Sequence, residues 1–188
     1  MGWNDVAREP GQSADKLQYT KFENGNNLIR ILDAEPFSFW QHWMPKQNTS
    51  VACMGKDCPI CSVIAQQKAN NETPQYNSSH RHAIRVWNYT TNQMEVMIQG
   101  KTFFSQLLDL HKEVGDLRTY DLKIIRKGSG TDTVYTMIPC APKEFEFANQ
   151  CEEVDIQDLL KAPTKEEMLL LMEGKTWAEI NEANKPAA

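Results

Sequence analysis

No long apolar run occurs in this chain. Its longest, Met168-Leu169-Leu170-Leu171-Met172, is far short of the roughly 20 residues that cross a bilayer as a helix. The first residues, Met1-Gly2-Trp3-Asn4-Asp5, lack the basic-then-apolar layout of a secretory signal. The expected location is therefore cytoplasmic, and the Asn-x-Ser/Thr triplets that begin at Asn48, Asn71, Asn77 and Asn88 are not read as glycosylation sites. Catalytic machinery is also missing. There is no Gly-rich phosphate loop and no Ser/His/Asp arrangement, so the chain is not expected to be an enzyme. A disulfide framework is disfavoured because the cysteines number five, an odd count.

A length of 188 residues suits one compact domain with a tail or small insert. The formal net charge of −5 is unevenly spread: 16 basic and 14 acidic residues lie up to Lys143, against 4 and 11 from Glu144 onward. A near-neutral body thus carries an acidic end. The expected organisation is an N-terminal arm over 1–26, a core over 27–142 with an insert at about 42–80, and an acidic C-terminal region over 143–188.

Turn signals and apolar periodicity place the elements. Leu28–Leu32 and Phe37–Met44 read as a bent strand or two consecutive ones broken at Pro36, and Pro59 to about Lys68 reads as a helix. Ala83–Tyr89 and Met94–Ile98 flank the turn Thr90-Thr91-Asn92-Gln93 as a hairpin. Phe103, Phe104, Leu107, Leu108, Leu110 and Val114 share a helical face that ends at Gly115. Tyr120–Lys127 and Thr133–Ile138 form a closing hairpin around Gly128-Ser129-Gly130. A helix between a three-strand meander and a closing hairpin predicts a mainly β fold of the OB type, a five-stranded partly open barrel. The insert and the helical acidic end, with short helices near Lys165–Glu173 and Trp177–Asn181, are expected as additions to it.

Three cysteines crowd into nine positions: Cys53, Cys58 and Cys61. The Cys58-Pro59-Ile60-Cys61 turn aims two thiolates at one cation, and Gly55 lets the preceding chain bend back. With Cys53 as third ligand and His42, at the end of an aromatic strand, as fourth, the set is Cys₃His, a closed structural site for one Zn2+. His80 and His82 are alternative fourth ligands, and Asp57 a less typical one. Zinc deaminases need His-x-Glu, but His42 is followed by Trp43-Met44, so the proton-shuttling Glu is missing. Disulfide oxidoreductases place their Cys-x-x-Cys in a βαβ setting that this pattern lacks.

A sheet that binds single-stranded nucleic acid joins cations for phosphates with rings on which bases stack. Alternation puts Arg85, Trp87 and Tyr89 on one side of their strand. Lys123 and Lys127 share a face of the closing hairpin, with Arg126 at its turn and Tyr135 on the return strand; Arg81 and Lys46 extend the stripe toward the cysteines. The competing reading makes these rings ordinary core and the cysteine module a protein-interaction or transcription-associated one. The acidic end is expected either to cover the basic face when nucleic acid is absent, or to act as a solvated tail.

Three stretches carry a family resemblance: Cys53-Met54-Gly55-Lys56-Asp57-Cys58-Pro59-Ile60-Cys61, Phe103-Phe104-Ser105-Gln106-Leu107-Leu108, and Tyr120-Asp121 through Arg126-Lys127-Gly128-Ser129-Gly130-Thr131-Asp132-Thr133-Val134-Tyr135. Over about 27–140 the chain resembles the single-stranded DNA-binding proteins of tailed bacteriophages. Its layout is similar to that of the zinc-containing helix-destabilising proteins of T-even-type phages. The resemblance implies an OB fold with an inserted zinc subdomain, one His then three Cys as ligands, and single-stranded DNA as partner. It also implies an acidic C-terminal region that contacts replication or recombination proteins, and work in phage replication, recombination or repair inside an infected bacterial cell. Residues 1–26 carry no Lys/Arg cluster like the basic N-terminal segment of that group.

Overall fold

The computed structural model of the protein describes residues 18–151 and 154–183. It is mainly β. Strands β1 (Gln18–Tyr19), β2 (Gly25–Ile31), β3 (Phe37–Met44), β4 (Thr49–Ala52), β5 (Asn77–Asn88), β6 (Gln93–Gly100), β7 (Tyr120–Lys127) and β8 (Val134–Pro142) join in one mixed sheet. Helices α1 (Pro59–Ala69), α2 (Lys101–Val114), α3 (Ile156–Leu159), α4 (Lys165–Glu173) and α5 (Trp177–Ala183) pack around it. Among the described residues no helix is long and apolar enough to cross a membrane.

The main path runs β1-β6-β5-β2-β7-β8, and it is open. β6 and β8, which a closed barrel would bring together, are kept apart; β1 pairs with β6 in parallel instead, Gln18 opposite Glu95 and Tyr19 opposite Val96. Part of the expected arm is therefore tied to the sheet, and Phe22 enters the core against Phe103 and Tyr135; residues 1–17 lie outside the described residues. β5 is long because it serves two neighbours on one edge. Its first half pairs with β3 and its last residues with β2, while β6 runs along the other edge.

Period-2 alternation sets the two faces of the sheet. On the inner face Ile29, Ile31, Ile84, Val86, Leu122 and Ile124 meet Phe103, Phe104 and Leu107 of α2. Burying each such side chain contributes about 1.5–3 kcal/mol. α2 stops at Gly115, whose φ of 82° an L side chain resists. On the outer face Ala83 and Val96 are covered by Ile156, with Phe37, Phe39, Ile98, Leu159 and Leu160 around them.

The C-terminal helices are not a free appendage. A reciprocal capping box between Thr164 and Glu167 starts α4, and Gly174, at φ 109°, ends it. Between them Met168 and Leu171 are fully buried against Met44, Val51, Cys58, Ile60 and Tyr76, together with Ile180 of α5. A solvated tail was one of the two expectations for the acidic end, but the apolar residues of α4 and α5 form part of a second small core. Lys46 and Gln47 fix this docking, with Nζ donating to the Glu173 carbonyl at 3.2 Å and Nε2 to the Leu171 carbonyl at 2.6 Å.

Candidate metal centre and sheet face

The β3–β4 hairpin turns through Asn48, at φ 52°, which sets His42 opposite Val51 and brings Cys53 back beside β3. The Cys53 amide donates to the Trp40 carbonyl at 2.8 Å. Gly55, at φ 82°, then reverses the chain, Cys58 caps α1 with Pro59 at its first position, and Cys61 follows one turn later. The four ligand atoms of His42, Cys53, Cys58 and Cys61 all lie within 4.8 Å of one another. Cys53 Sγ to Cys61 Sγ is 3.6 Å, Cys58 Sγ to His42 Nε2 is 3.4 Å and Cys61 Sγ to His42 Nε2 is 3.5 Å. A tetrahedron built on metal–sulfur bonds of about 2.3 Å has edges of about 3.7 Å, so the donors are spaced to hold one metal ion. Three thiolates and one imidazole leave no open coordination position. His80, His82 and Asp57 stand outside this group.

Electrostatics favour a cation here. Burial pushes the Cys61 thiol up to about 12, with Cys53 and Cys58 adding to the shift. Burial also raises Cys53, against a hydrogen bond from the Gly55 amide. At Cys58 burial opposes ionisation, but backbone hydrogen bonds from Cys61, Met54 and Ile60 outweigh it and lower the thiol. The chain thus eases ionisation of one thiol, and a divalent cation held by the four donors would supply the charge that ionises the other two. Burial lowers His42 below the ordinary imidazole value, partly offset by the Asn77 carbonyl, and so favours the neutral ring that can ligate. Its Nδ1 faces that carbonyl without a well-formed hydrogen bond.

The sheet residues divide. Arg85, Trp87 and Tyr89 share the outer side, but they do not form an open platform. Phe147 lies parallel on Trp87, centroids 4.8 Å apart and planes 6° apart, and Phe145 meets the indole edge-on. Trp87 is left 1 % exposed. Tyr89 touches Phe147 edge-on and donates to Asp121 at 2.7 Å. Arg85 is ion-paired to Asp33 at 2.6 Å. Beneath the rings Arg30, opposite both Trp87 and Asp121 in register, is buried and ion-paired to Asp121 at 2.7 Å. Among the described residues, Trp87 Nε1 and Arg30 Nη2 are buried donors with no acceptor. Lys143 bonds Asp121 at 2.8 Å and sits over the Tyr89 ring.

The other candidates are spread more widely. Lys123 and Lys127 are exposed, opposite Ile138 and Val134 on the outer side. Arg126 and Tyr135 stand on the opposite side: Arg126 donates to the Phe22 carbonyl at 3.2 Å, and Tyr135 packs against Phe22 and Phe103. Alternation within the hairpin placed these two with the core, so Tyr135 is not a surface ring. Arg81 is half-buried on the outer side, and Lys46 is spent on α4. Sequence reasoning missed Arg30, Asp121, Phe145 and Phe147. The alternation Glu144-Phe145-Glu146-Phe147 was the available signal for the last two.

Compared with protein families, with curated proteins and with solved structures, the chain matches nothing.

Proposed function

We propose that this protein binds single-stranded DNA without sequence specificity, on the outer face of its sheet, and that it is a non-enzymatic OB-type protein with one structural zinc ion. In this reading β2 and β3 are the bent first strand, followed by β5, β6, α2, β7 and β8. The pairs β2–β5, β5–β6, β2–β7 and β7–β8 are those of the OB scheme, and β1 stands where the barrel would close. Zinc suits a closed Cys₃His donor set with tetrahedral spacing. The work it serves is phage replication, recombination or repair, as the resemblance implies, with Leu169 and Trp177 exposed on α4 and α5 for a replication or recombination partner.

The observation that carries this reading is the stack of Phe147 on Trp87 above two buried donors without acceptors. A ring set parallel on an indole occupies the place of a stacked base, and the flanking Glu144 and Glu146 carry the charge sign of phosphates. Among the described residues the segment offers the Trp87 N–H and Arg30 Nη2 no acceptor, only the Phe145 ring 5.7 Å from the guanidinium, and a buried donor without an acceptor costs about 1–3 kcal/mol. A DNA strand offers base and phosphate oxygens to both donors, and beyond the segment it reaches Lys123 and Lys127. The acidic segment is then a displaceable cover of the same face.

The test is titration with an oligo-dT strand and with a duplex, at low and high salt, following tryptophan fluorescence. The wild type is expected to bind the single strand selectively and to weaken as salt rises. Phe145→Ala with Phe147→Ala is expected to tighten binding several-fold, since each ring pair contributes about 0.5–1.5 kcal/mol. Failure of both proteins to bind the single strand in preference to the duplex overturns the reading.

A further inference from the structure

On the opposite face of the sheet a cleft of about 730 Å³ opens between the start of β3, β5 and α2. Its floor is apolar, made by Ile31, Ile84, Phe104 and Leu107 at the edge of the main core. One wall is formed by His80, His82 and Phe104, the inner three of a file of four rings that continues to Trp40. Trp40 to His80 is 5.0 Å between centroids, His80 to His82 is 4.7 Å, and His82 to Phe104 is 5.0 Å. The file runs from the core outward to Trp40, which is 54 % exposed and meets His80 at a tilt of 37°. Rings that only filled a core would be enclosed; His80, His82 and Phe104 line a space, and Trp40 stands beside it.

Polar groups are placed around that space without filling it. The Ser38 hydroxyl bonds His82 Nδ1 at 2.8 Å, fixing the imidazole plane. Asp33 and Asp116, both at the rim, are neutralised by Arg85 and Arg118 at 2.6 Å each. Lys101 and His111 stand exposed at the α2 side of the mouth. An apolar floor, a stacking wall and a few hydrogen-bonding edges suit a planar heteroaromatic ring with a polar rim rather than a hydrocarbon. The volume is in the range that seats such a ligand.

We propose that this cleft is a second binding site, which takes one nucleobase against the His80–His82–Phe104 wall, with Trp40 at its outer end. The choice of a nucleobase among heteroaromatic rings rests on the single-stranded DNA reading; the site itself does not, because it lies on the other face from Trp87 and its cover. A base reaches it either within a strand that passes around the β3–β5 edge or as a free nucleoside.

The experiment follows the imidazole and indole proton signals of His80, His82 and Trp40 in the full-length zinc-loaded protein, during titration with deoxyadenosine and, separately, with oligo-dT. Saturable shifts at His82 and Trp40 with deoxyadenosine are expected. Trp40→Ala should weaken that binding roughly tenfold or more, while Trp40→Phe, which keeps a ring, should restore most of it. Unchanged zinc content in both variants shows that the β3–β4 hairpin and the metal donors it carries are intact. Shifts with the oligonucleotide as well assign the site to the DNA path, and shifts with the nucleoside alone assign it to a free ligand. Absence of shifts with both probes overturns the cleft proposal, even if oligo-dT binds at the Trp87 face. Nucleoside shifts without oligonucleotide binding at either face overturn the DNA reading and leave the cleft standing.

Discussion

Asp121→Asn is the most informative single change outside the metal centre. Asp121 is buried and accepts from Arg30 Nε at 2.7 Å, from the Tyr89 hydroxyl at 2.7 Å and from Lys143 Nζ at 2.8 Å. Arg30 is as deeply buried, and spends Nη1 on the carbonyls of Arg118 and Lys143. The amide keeps the shape but removes the charge, leaving a guanidinium in a site where water cannot replace its partner. Breaking a buried pair in this way costs about 3–5 kcal/mol, a large fraction of the 5–15 kcal/mol that holds a typical domain. In urea unfolding the midpoint should fall sharply with the slope unchanged. Arg30→Met with Asp121→Leu should recover much of the loss, because it removes both charges. A single variant within about 1 kcal/mol of wild type, or a double variant no better than the single, refutes the argument. The pH dependence follows. Burial pushes the Asp121 carboxyl up, but the bonds from Lys143, Tyr89 and Arg30 outweigh it and hold the group below the ordinary carboxylate value. Its contribution is therefore complete above the unfolded value near pH 4 and is lost as pH falls through the lower folded value. The gap between wild type and Asp121→Asn should narrow across that acid range. Because Lys143 begins the segment over Trp87, the variant should also bind oligo-dT more tightly.

Cys58→Ser should release one equivalent of metal, measured by elemental analysis of the purified protein, and expose 59–69 to proteolysis; unchanged metal content sinks the ligand assignment. Leu171→Ala should lower stability by about 2–5 kcal/mol in chemical denaturation and should speed metal loss to a chelator, since Leu171 packs in the core that holds Cys58. Gly128→Ala should destabilise the β7–β8 turn: its φ is 87° and a Cβ there would collide with the Asp132 carbonyl oxygen. A melting temperature equal to wild type contradicts that steric reading.

Local pattern made much of the architecture legible. The alternation in Ala83–Tyr89 and the turn at Thr90–Gln93 anticipate the β5–β6 hairpin, the apolar face of 103–114 anticipates α2, and the Cys spacing with His42 anticipates the metal cluster. The strand β4 escaped because Thr49–Ala52 is four residues long and pairs only with β3. A cover by the acidic end was one of the two expectations, but its rings, Phe145 and Phe147, and the docking of α4 escaped for another reason. Both depend on which distant surface a segment meets, and the acidity of 144–188 outweighed the small apolar signals within it. Thr164 and Glu167, three residues apart before Met168, were a readable helix start. Phe145 and Phe147, alternating with glutamates, were a readable strand-like face.

The length of β5 makes it a lever with a defined fulcrum. Residues 77–80 are held by β3 alone, residues 81–83 by β3 and β6 together, and the last residues by β6 and β2. Emptying the ion from its four donors would slacken the near end first, and the slack would reach His80 and His82 before it reached Trp87. The two ring-bearing faces of this one strand therefore answer to the metal unequally.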